Sequence, residues 1–288
     1  MKYTLLYILS LCFLAAGCNH DVSEVPEGTG SGNWLPVLTR AAVGTKATIA
    51  GFSSETADKA TFSETVICDN EENNTWKWEN TSFTPPPLEG IALLTATIPP
   101  ISISSATITL SQSSLSAYSN GLQLGSVLAK KNAANAIDVH HRLARLKLDC
   151  EEGYTLNNTI DLYLTPTAEV DFRKATIETA SGNKTSYTHS LKEKRSIVLT
   201  ILPQTFQKGE PLFKYEAGKT QYTYYMDQTL NVGSNQSLKV HILAGEGVTT
   251  TDPDDPSTPT DPTVKVSVTA TTSITEWEEG GNNNVAVE

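Results

Sequence analysis

The residues best placed to do chemistry in this chain are one cysteine and one arginine near its start. Cys18 directly follows the small residues Ala15-Ala16-Gly17, which come after an apolar run from Leu5 to Leu14 and the positive charge of Lys2. A positive start, a short apolar run and small residues are typical of a secretory signal peptide, which is removed from the mature protein. The cysteine after Ala-Gly predicts the bacterial lipoprotein form, with residues 1–17 removed and Cys18 acylated. An ordinary signal peptide, with Cys18 there by chance, is the alternative.

Arg40 is the first basic residue after this predicted lipid anchor. It closes the short β-prone segment Leu35-Pro36-Val37-Leu38-Thr39 and is followed by Ala41. An arginine in a polar-flanked stretch near a terminus is open to a trypsin-like protease. The bond between Arg40 and Ala41 is therefore a candidate cleavage site, although any exposed arginine can be cut.

No catalytic set is recognisable in the sequence. It has no Gly-x-Ser-x-Gly elbow, no phosphate-binding glycine-rich loop, no His-Glu-x-x-His and no Cys-x-x-Cys. His140 and His141 are adjacent on a predicted strand, so they point to opposite faces and cannot easily share a metal ion. The aspartates of residues 252–261 lack the glycine turn and the closing glutamate of a calcium loop. We expect neither enzymatic activity nor a metal or other cofactor.

The composition describes an acidic, globular, exported chain. The formal net charge is −11, with 39% hydrophobic and 18% charged residues. This acidity argues against nucleic-acid binding and against an electrostatic grip on anionic membrane surfaces. Abundant Thr and Ser with only 2 Met favour strands over helices. No apolar segment of about 20 residues follows the signal, so we expect no transmembrane helix.

Between about residues 34 and 248, short β-prone runs alternate with turn residues. The clearest runs are Lys46–Phe52, Thr75–Glu79, Ile91–Ile98, Ala106–Leu110, Leu122–Leu128, Ile137–Leu148, Ile160–Thr165, Ser196–Leu202, Gln221–Met226 and Leu238–Leu243. This spacing predicts an all-β, antiparallel β-sandwich. The apolar alternation changes phase between Leu143 and Ala144, which indicates a bulge or a strand buried on both sides.

Two polar segments divide the chain. Residues 19–33 predict a flexible leash behind the lipid, and the Pro/Asp/Thr-rich residues 249–262 predict a stiff, extended linker. After the linker comes a strongly alternating strand, whose apolar residues are Val264, Val266, Val268 and Ala270. That strand either folds back onto its own domain or pairs elsewhere.

Two questions about side chains stay open at this stage. Cys68 and Cys150 remain after cleavage and acylation, and they either form one disulfide or stay separate thiols. Trp76 and Trp78 share one face of a predicted strand, where they lie either in a core or on a platform for sugar rings.

Short motifs along the chain resemble the fimbrillins, the lipoprotein-derived (type V) pilins of Bacteroidetes. The motifs are the lipobox at Cys18, Thr39-Arg40-Ala41, His141-Arg142-Leu143-Ala144-Arg145-Leu146, Ile201-Leu202-Pro203-Gln204, Leu230-Asn231-Val232-Gly233 and Ile274-Thr275-Glu276-Trp277-Glu278-Glu279-Gly280. Each is short, but their order is hard to obtain by chance. Pro85-Pro86-Pro87 and the long linker depart from the family's pattern.

The resemblance implies two transthyretin-like antiparallel β-sandwich domains with Greek-key connections, here residues 41–180 and 181–288. It also implies export to the outer membrane as a lipoprotein, followed by cutting after Arg40 by an arginine-specific protease. The cut removes residues 18–40, including a first strand near residues 34–39, and leaves an apolar groove in the N-terminal domain. A strand from a neighbouring subunit then fills the groove, as in other cases of β-strand addition.

The donated strand would be the C-terminal segment 263–277, which the linker allows to reach a neighbour. Roughly fourteen extended residues at ~3.1 Å each span about 40 Å, comparable with the length of a domain. The resemblance thus places the protein in the outer membrane and in an extracellular pilus that supports adhesion, with other pilus subunits as its partners. A surface glycan-binding lipoprotein is the alternative function.

Overall fold

The structure is a computed structural model that describes most of the chain after the predicted leash. The described residues are 37–38, 41–72, 74–131, 135–150, 159–179, 183–190, 196–217, 220–244 and 264–271. The predicted lipidation site Cys18, the predicted cleavage residue Arg40 and the linker 249–262 lie outside them.

Strands dominate the part of the chain that is described. The earlier strands are β1 Val37–Leu38, β2 Lys46–Phe52, β3 Phe62–Asn70, β4 Thr75–Trp78, β5 Leu93–Ile98, β6 Thr107–Ser111, β7 Gln123–Leu128, β8 Ala136–Ile137 and β9 His140–His141. The later strands are β10 Ala144–Cys150, β11 Thr159–Leu164, β12 Thr167–Asp171, β13 Thr176–Thr179, β14 Thr185–Ser190, β15 Ser196–Ile201, β16 Gln204–Phe206, β17 Pro211–Ala217, β18 Thr220–Tyr225, β19 Leu230–Val232, β20 Ser237–Ala244 and β21 Val264–Thr271. Short 3₁₀ helices span Leu88–Gly90 and Gln112–Tyr118.

A six-stranded antiparallel sheet, in the order β4-β3-β2-β5-β7-β9, forms the centre of the N-terminal half. Every residue of β2 after Lys46 is buried, so this strand is covered on both faces. Its sequence, Lys-Ala-Thr-Ile-Ala-Gly-Phe, permits this because small and apolar residues occupy both alternating faces. The sheet therefore needs a cover on each side.

Each face of the central sheet has its own core. The β6-side core combines this sheet with the three-stranded sheet β13-β12-β6 and includes Phe52, Leu93, Leu110, Leu124, Val170 and Phe172. The β1-side core combines the opposite face with β1 and β8 and includes Leu38, Ile49, Val66, Leu94, Ile137 and Val139. Two very short strands are thus part of the cover over the second face.

The C-terminal half is a sandwich of two four-stranded sheets, β15-β10-β20-β21 and β14-β11-β17-β18, with β16 and β19 as a further pair. Residues from both sheets form the C-terminal core, among them Leu146, Leu162, Phe213, Leu238 and Val240. β10 pairs in parallel with β20 and antiparallel with β15, so the first of these sheets is mixed. The prediction of an all-β sandwich fold is confirmed.

The chain crosses between the two halves at Leu143 and Ala144. Leu143 belongs to the β6-side core, whereas Ala144 belongs to the C-terminal core. β10 and β11 pack with the C-terminal strands, and β12 and β13 then return to the N-terminal half. The predicted domain boundary at residue 180 stays a prediction. The change of phase at Leu143 marks the crossing, because the apolar residues on its two sides serve different cores.

Candidate strand-acceptor site beneath the first strand

β1 is a two-residue strand at the edge of the β1-side core. Val37 and Leu38 pair in parallel with Ala136 and Ile137 of β8. The Leu38 side chain belongs to this core and is 2% exposed. Full burial of a leucine side chain is worth about 1.5–3 kcal/mol. An element this short depends on the walls that surround it.

The walls of the site come from one face of the central sheet. Ala47 pairs with Val66 across β2 and β3, and Cys68 pairs with Trp76 across β3 and β4. Directly opposed residues share a face of the sheet, and all four of these side chains are buried. A strand laid over this face can therefore bury apolar side chains against it.

A side-chain amide also holds β1. Asn74, just before β4, donates from Nδ2 to the Leu38 carbonyl oxygen over 2.6 Å, and its Oδ1 accepts from the Trp76 indole over 3.2 Å. An indole N–H can only donate and a carbonyl can only accept, so these partners fix which end of the amide faces β1. Asn74 has a φ of 48°, in the left-handed region that asparagine tolerates in turns. β1 is thus held by the backbone of β8 and by this amide.

The residue that follows the predicted cut is anchored separately from β1. The Cys68 thiol donates to the Ala41 carbonyl oxygen over 3.2 Å. The backbone of Cys68 also binds residues shortly after Ala41. Its carbonyl oxygen accepts from the Gly44 N–H over 2.9 Å, and its N–H donates to the Thr45 carbonyl oxygen over 2.8 Å. A cut between Arg40 and Ala41 would therefore divide a segment held by β8 and Asn74 from a segment held by β3. The Cys68 side chain is buried in the β1-side core, and the Cys150 side chain lies outside what the structure describes, so the pairing of the two stays open.

A glycine allows the segment that carries β8 to cross the central sheet closely. A Cβ atom on Gly125 of β7 would lie 2.2 Å from the Asp138 carbonyl oxygen and 2.9 Å from the side chain of Ile137. Real Cβ atoms do not approach a backbone atom so closely, and the backbone cannot move aside as a side chain can. The absence of a side chain at Gly125 therefore allows β8 to lie close to β7, and β1 pairs with β8 in that position.

Charged residues on the walls pair with one another at the surface. Lys46 pairs with Glu79, and Lys77 pairs with Asp69 over 2.5 Å. The four side chains are about half exposed, so each pair adds little to stability. The site is apolar, and it holds a strand by packing and backbone hydrogen bonds.

The C-terminal strand lies in the other half of the molecule. β21 pairs antiparallel with β20 of its own chain, at the edge of a four-stranded sheet. Its apolar positions Val264, Val266, Val268 and Ala270 stand opposite Ala244, Ile242, Val240 and Leu238. The structure therefore has this strand folded back, one of the two arrangements that the sequence allowed, and donation to a neighbour stays a prediction.

Both tryptophans of β4 pack in the β1-side core, Trp76 as a buried member and Trp78 as a partly buried neighbour. Trp76 is 7% exposed and belongs to the β1-side core. Trp78 is partly buried and packs edge-on against Phe83, with a centroid distance of 4.9 Å, and against Phe62. Neither ring presents an open face together with the other, which removes the sugar-stacking platform that the sequence suggested as one possibility for this pair.

The histidine positions of the sequence are also placed. His140 is exposed and its neighbour His141 is partly buried, as expected for adjacent residues of a strand. Among the residues described, no three His, Cys, Asp or Glu side chains group in a way that could hold a metal ion. No helix in the described part of the chain is long and apolar enough to cross a membrane.

Sequence reasoning missed Asn74 and Gly125. The run Glu71-Glu72-Asn73-Asn74 between two β-prone stretches signals a turn, in which asparagine is favoured for its left-handed conformation. Nothing local to that run shows that the amide reaches residue 38. Gly125 stands inside a strand pattern, which is a signal for close approach by another backbone, but the approaching segment is not identifiable from sequence.

Comparison with known proteins identifies similar folds. No family model matches the chain, and no curated protein matches its sequence. A solved Bacteroides ovatus protein, described provisionally as a cell adhesion protein, aligns with a TM-score of 0.55 at 13% identity, over 82% of this chain and 90% of its own. A Bacteroides uniformis protein with the same provisional description aligns with a TM-score of 0.55 at 10% identity, over 81% of this chain and 93% of its own.

One further solved structure is of a fimbrial protein. The C-terminally truncated tip fimbrial protein Mfa3 of Porphyromonas gingivalis aligns over 80% of this chain and 94% of its own at 9% identity. The TM-score of this alignment is 0.44. The chain has the all-β fold of the two Bacteroides proteins, and that fold agrees with the resemblance to fimbrillins in its sequence.

Proposed function

We propose that this protein is a subunit of a cell-surface pilus, exported as a lipoprotein, activated by cleavage after Arg40 and polymerised by β-strand donation in support of adhesion. The observation that carries the proposal is the position of Leu38. Its side chain fills the β1-side core, yet it belongs to a strand of two residues just before the predicted cleavage bond. The fold shared with the two Bacteroides proteins described as cell adhesion proteins supports the adhesive role.

Removal of β1 would open a groove with a defined shape. Its floor is the buried face of the central sheet, and β8 would lose its strand partner in the described part of the chain. Unpaired backbone groups next to an apolar floor form the template to which another strand adds. An incoming strand longer than two residues would bury more apolar surface than β1 does.

The proposed partners follow from this arrangement. An arginine-specific protease performs the cut, the lipid on Cys18 holds the precursor in the outer membrane, and other pilus subunits supply the strand that enters the groove. The C-terminal segment 263–277 is the proposed donor on this chain. To donate, β21 must leave β20, where it forms eight register pairs.

The test is assembly of an Arg40→Ala variant in cells that carry the arginine-specific protease. We expect this variant to remain lipidated and monomeric, while the wild-type chain is trimmed and forms ladders on denaturing gels. Arg40→Lys is the matched control, because it keeps the charge and is cut by trypsin but not by a protease that requires arginine. Normal assembly of Arg40→Ala would show that cleavage at this bond is not needed.

Polysaccharide affinity electrophoresis addresses the alternative function. A pilus subunit should migrate unchanged in gels that contain polysaccharide. A retarded band would favour the glycan-binding lipoprotein.

A further inference from the structure

Asn74 makes a contact with β1 that does not depend on the sequence of β1. Its Nδ2 reaches a backbone carbonyl oxygen, that of Leu38, over 2.6 Å. Every residue of a strand carries such a carbonyl, so the amide can accept any strand that brings a carbonyl to this point. Its second bond, from the Trp76 indole, keeps the amide in this orientation whether or not β1 is present.

The contact also marks one position along the strand. β8 is paired with β1 over only two residues, so the ladder itself gives weak control of register. The Asn74 amide adds a donor at one fixed point of the site. The carbonyl it binds belongs to Leu38, whose side chain is buried in the β1-side core. A shift of one residue would turn that side chain away from the core.

We propose that Asn74 sets the register of whichever strand occupies this site. The occupant is β1 in the uncut chain and, on the basis of the function proposed above, an extended strand of a second subunit after cleavage. When β1 leaves, Nδ2 loses the Leu38 carbonyl, and a partly buried donor favours a new acceptor. The incoming strand therefore places one of its carbonyl oxygens at Nδ2, with an apolar side chain in the space that Leu38 occupied.

The test measures strand binding without requiring polymer. The purified non-lipidated chain is cut after Arg40, dialysed to remove the cut segment, and titrated with a fluorescent synthetic peptide of residues 34–39. Asn74→Asp keeps an acceptor for the Trp76 indole but replaces the donor with a carboxylate oxygen. Asn74→Gly removes the amide and tolerates the positive φ. We expect both variants to bind the peptide about tenfold more weakly, or worse, than wild type.

Two controls separate the register claim from general damage. Asn235→Gly changes another asparagine at a positive φ, 56°, in the C-terminal half, and should leave peptide binding unchanged. A peptide with an ester in place of the amide between Leu38 and Thr39 weakens the Leu38 carbonyl as an acceptor. On the wild-type chain, the ester peptide should bind more weakly than the amide peptide. On Asn74→Gly, the two peptides should bind equally well.

The outcomes distinguish this inference from the proposed function. Equal peptide affinity for wild type and Asn74→Asp would overturn the role of Asn74 and leave strand donation standing. No peptide binding by the cut wild-type chain would overturn the inference, because the site would then not accept a strand. Peptide binding as expected, in a cut chain that never assembles, would support Asn74 and contradict the pilus function.

Discussion

Gln112 and Gln204 are buried, and each uses both ends of its side-chain amide on backbone groups. Gln112 accepts from the Leu202 N–H over 3.0 Å and donates to the Thr200 carbonyl over 3.1 Å. Gln204 donates to the Leu202 carbonyl over 3.1 Å and accepts from the Thr165 N–H over 2.9 Å. A buried polar group costs free energy unless it is hydrogen-bonded, and here both amides use both of their ends. Gln112 thereby links the 3₁₀ helix Gln112–Tyr118 of the N-terminal half to β15 of the C-terminal half.

His141 provides a residue-scale prediction about pH. Burial, followed by the positive charges of Arg145 and His140, lowers the pKa of His141 from 6.5 to about 4. The unfolded chain therefore takes up a proton at His141 as the pH falls below about 6.5, while the folded chain resists it. We expect the free energy of unfolding to fall as the pH drops from 7 to 5, by about 1 kcal/mol from this group after allowance for its partial exposure.

Urea unfolding at pH 7 and pH 5 measures this effect. The His141→Gln variant lacks the titrating group and should lose less stability between the two pH values than wild type does. His140→Gln, at the exposed neighbouring position, removes only the smallest of the three causes of the lowered pKa, so this control should follow wild type closely. An identical pH dependence for His141→Gln and wild type would contradict the lowered pKa.

At the scale of strands, β-prone runs in the sequence predict the elements that have at least one buried face. The run Lys46–Phe52 coincides with β2, and Ser196–Leu202 and Leu238–Leu243 match β15 and β20 to within a residue at each end. β14, with the sequence Thr-Ser-Tyr-Thr-His-Ser, was not predicted. It lies at the edge of its sheet and alternates only between exposed and partly buried residues. A polar edge strand has no apolar period to detect.

Gly125 provides the prediction at the scale of elements. Gly125→Ala places a Cβ against the backbone of Asp138, so either β7 or the β8 segment must shift. We expect a loss of about 1–3 kcal/mol in the free energy of unfolding, as for other overpacked sites, together with faster proteolytic loss of β1. The measurements are urea unfolding and the rate of limited trypsin cutting.

The matched control is Gly90→Ala. A Cβ atom at Gly90 meets nothing within 4 Å, and its φ is not in the left-handed region. This variant should unfold at the wild-type urea concentration within error. Equal stability of Gly125→Ala and Gly90→Ala would show that β8 can move away from β7 at little cost.

At the scale of the whole molecule, the acceptor site is assembled from segments distant in sequence. Leu38 and Asn74 are separated by 36 residues, and β8 begins about a hundred residues after β1. Local spacing is sufficient to mark Cys18 and Arg40 as candidates, because a signal peptide and a cleavage bond are linear features. The groove, the Asn74 amide and the close approach at Gly125 depend on contacts between distant segments, which local spacing does not show.

The C-terminal half has its own means of covering strand edges. β15 and β21 are the outer strands of the mixed C-terminal sheet. Gln112 occupies backbone groups at Thr200 and Leu202, at and just beyond the end of β15, while β21 itself covers β20. An open strand edge is a template for pairing with another chain. β21, the strand that the sequence predicts as the donor, is therefore also the strand that covers the edge of β20 in the same molecule.

This double role makes deletion of residues 263–288 the most informative change to the whole chain. Leu238 and Val240 belong to the C-terminal core together with residues of β10 and the facing sheet, so we expect the truncated chain to fold. After cleavage at Arg40 it should accept a strand but have none to give. It should stay monomeric alone and, mixed with cut wild-type chain, should shorten the polymers in proportion to its share, as measured by size-exclusion chromatography and electron microscopy.

Deletion of residues 278–288 alone is the matched control, since it keeps the whole proposed donor segment and should polymerise like wild type. Polymer formed by the chain that lacks 263–288 would rule out the C-terminal segment as the donor. Long polymers in the mixture would show instead that the truncated chain does not enter the growing end. A folded chain that accepts a strand and donates none stops growth, whereas an unfolded chain does neither, so shortening in the mixture separates loss of the donor from loss of the fold.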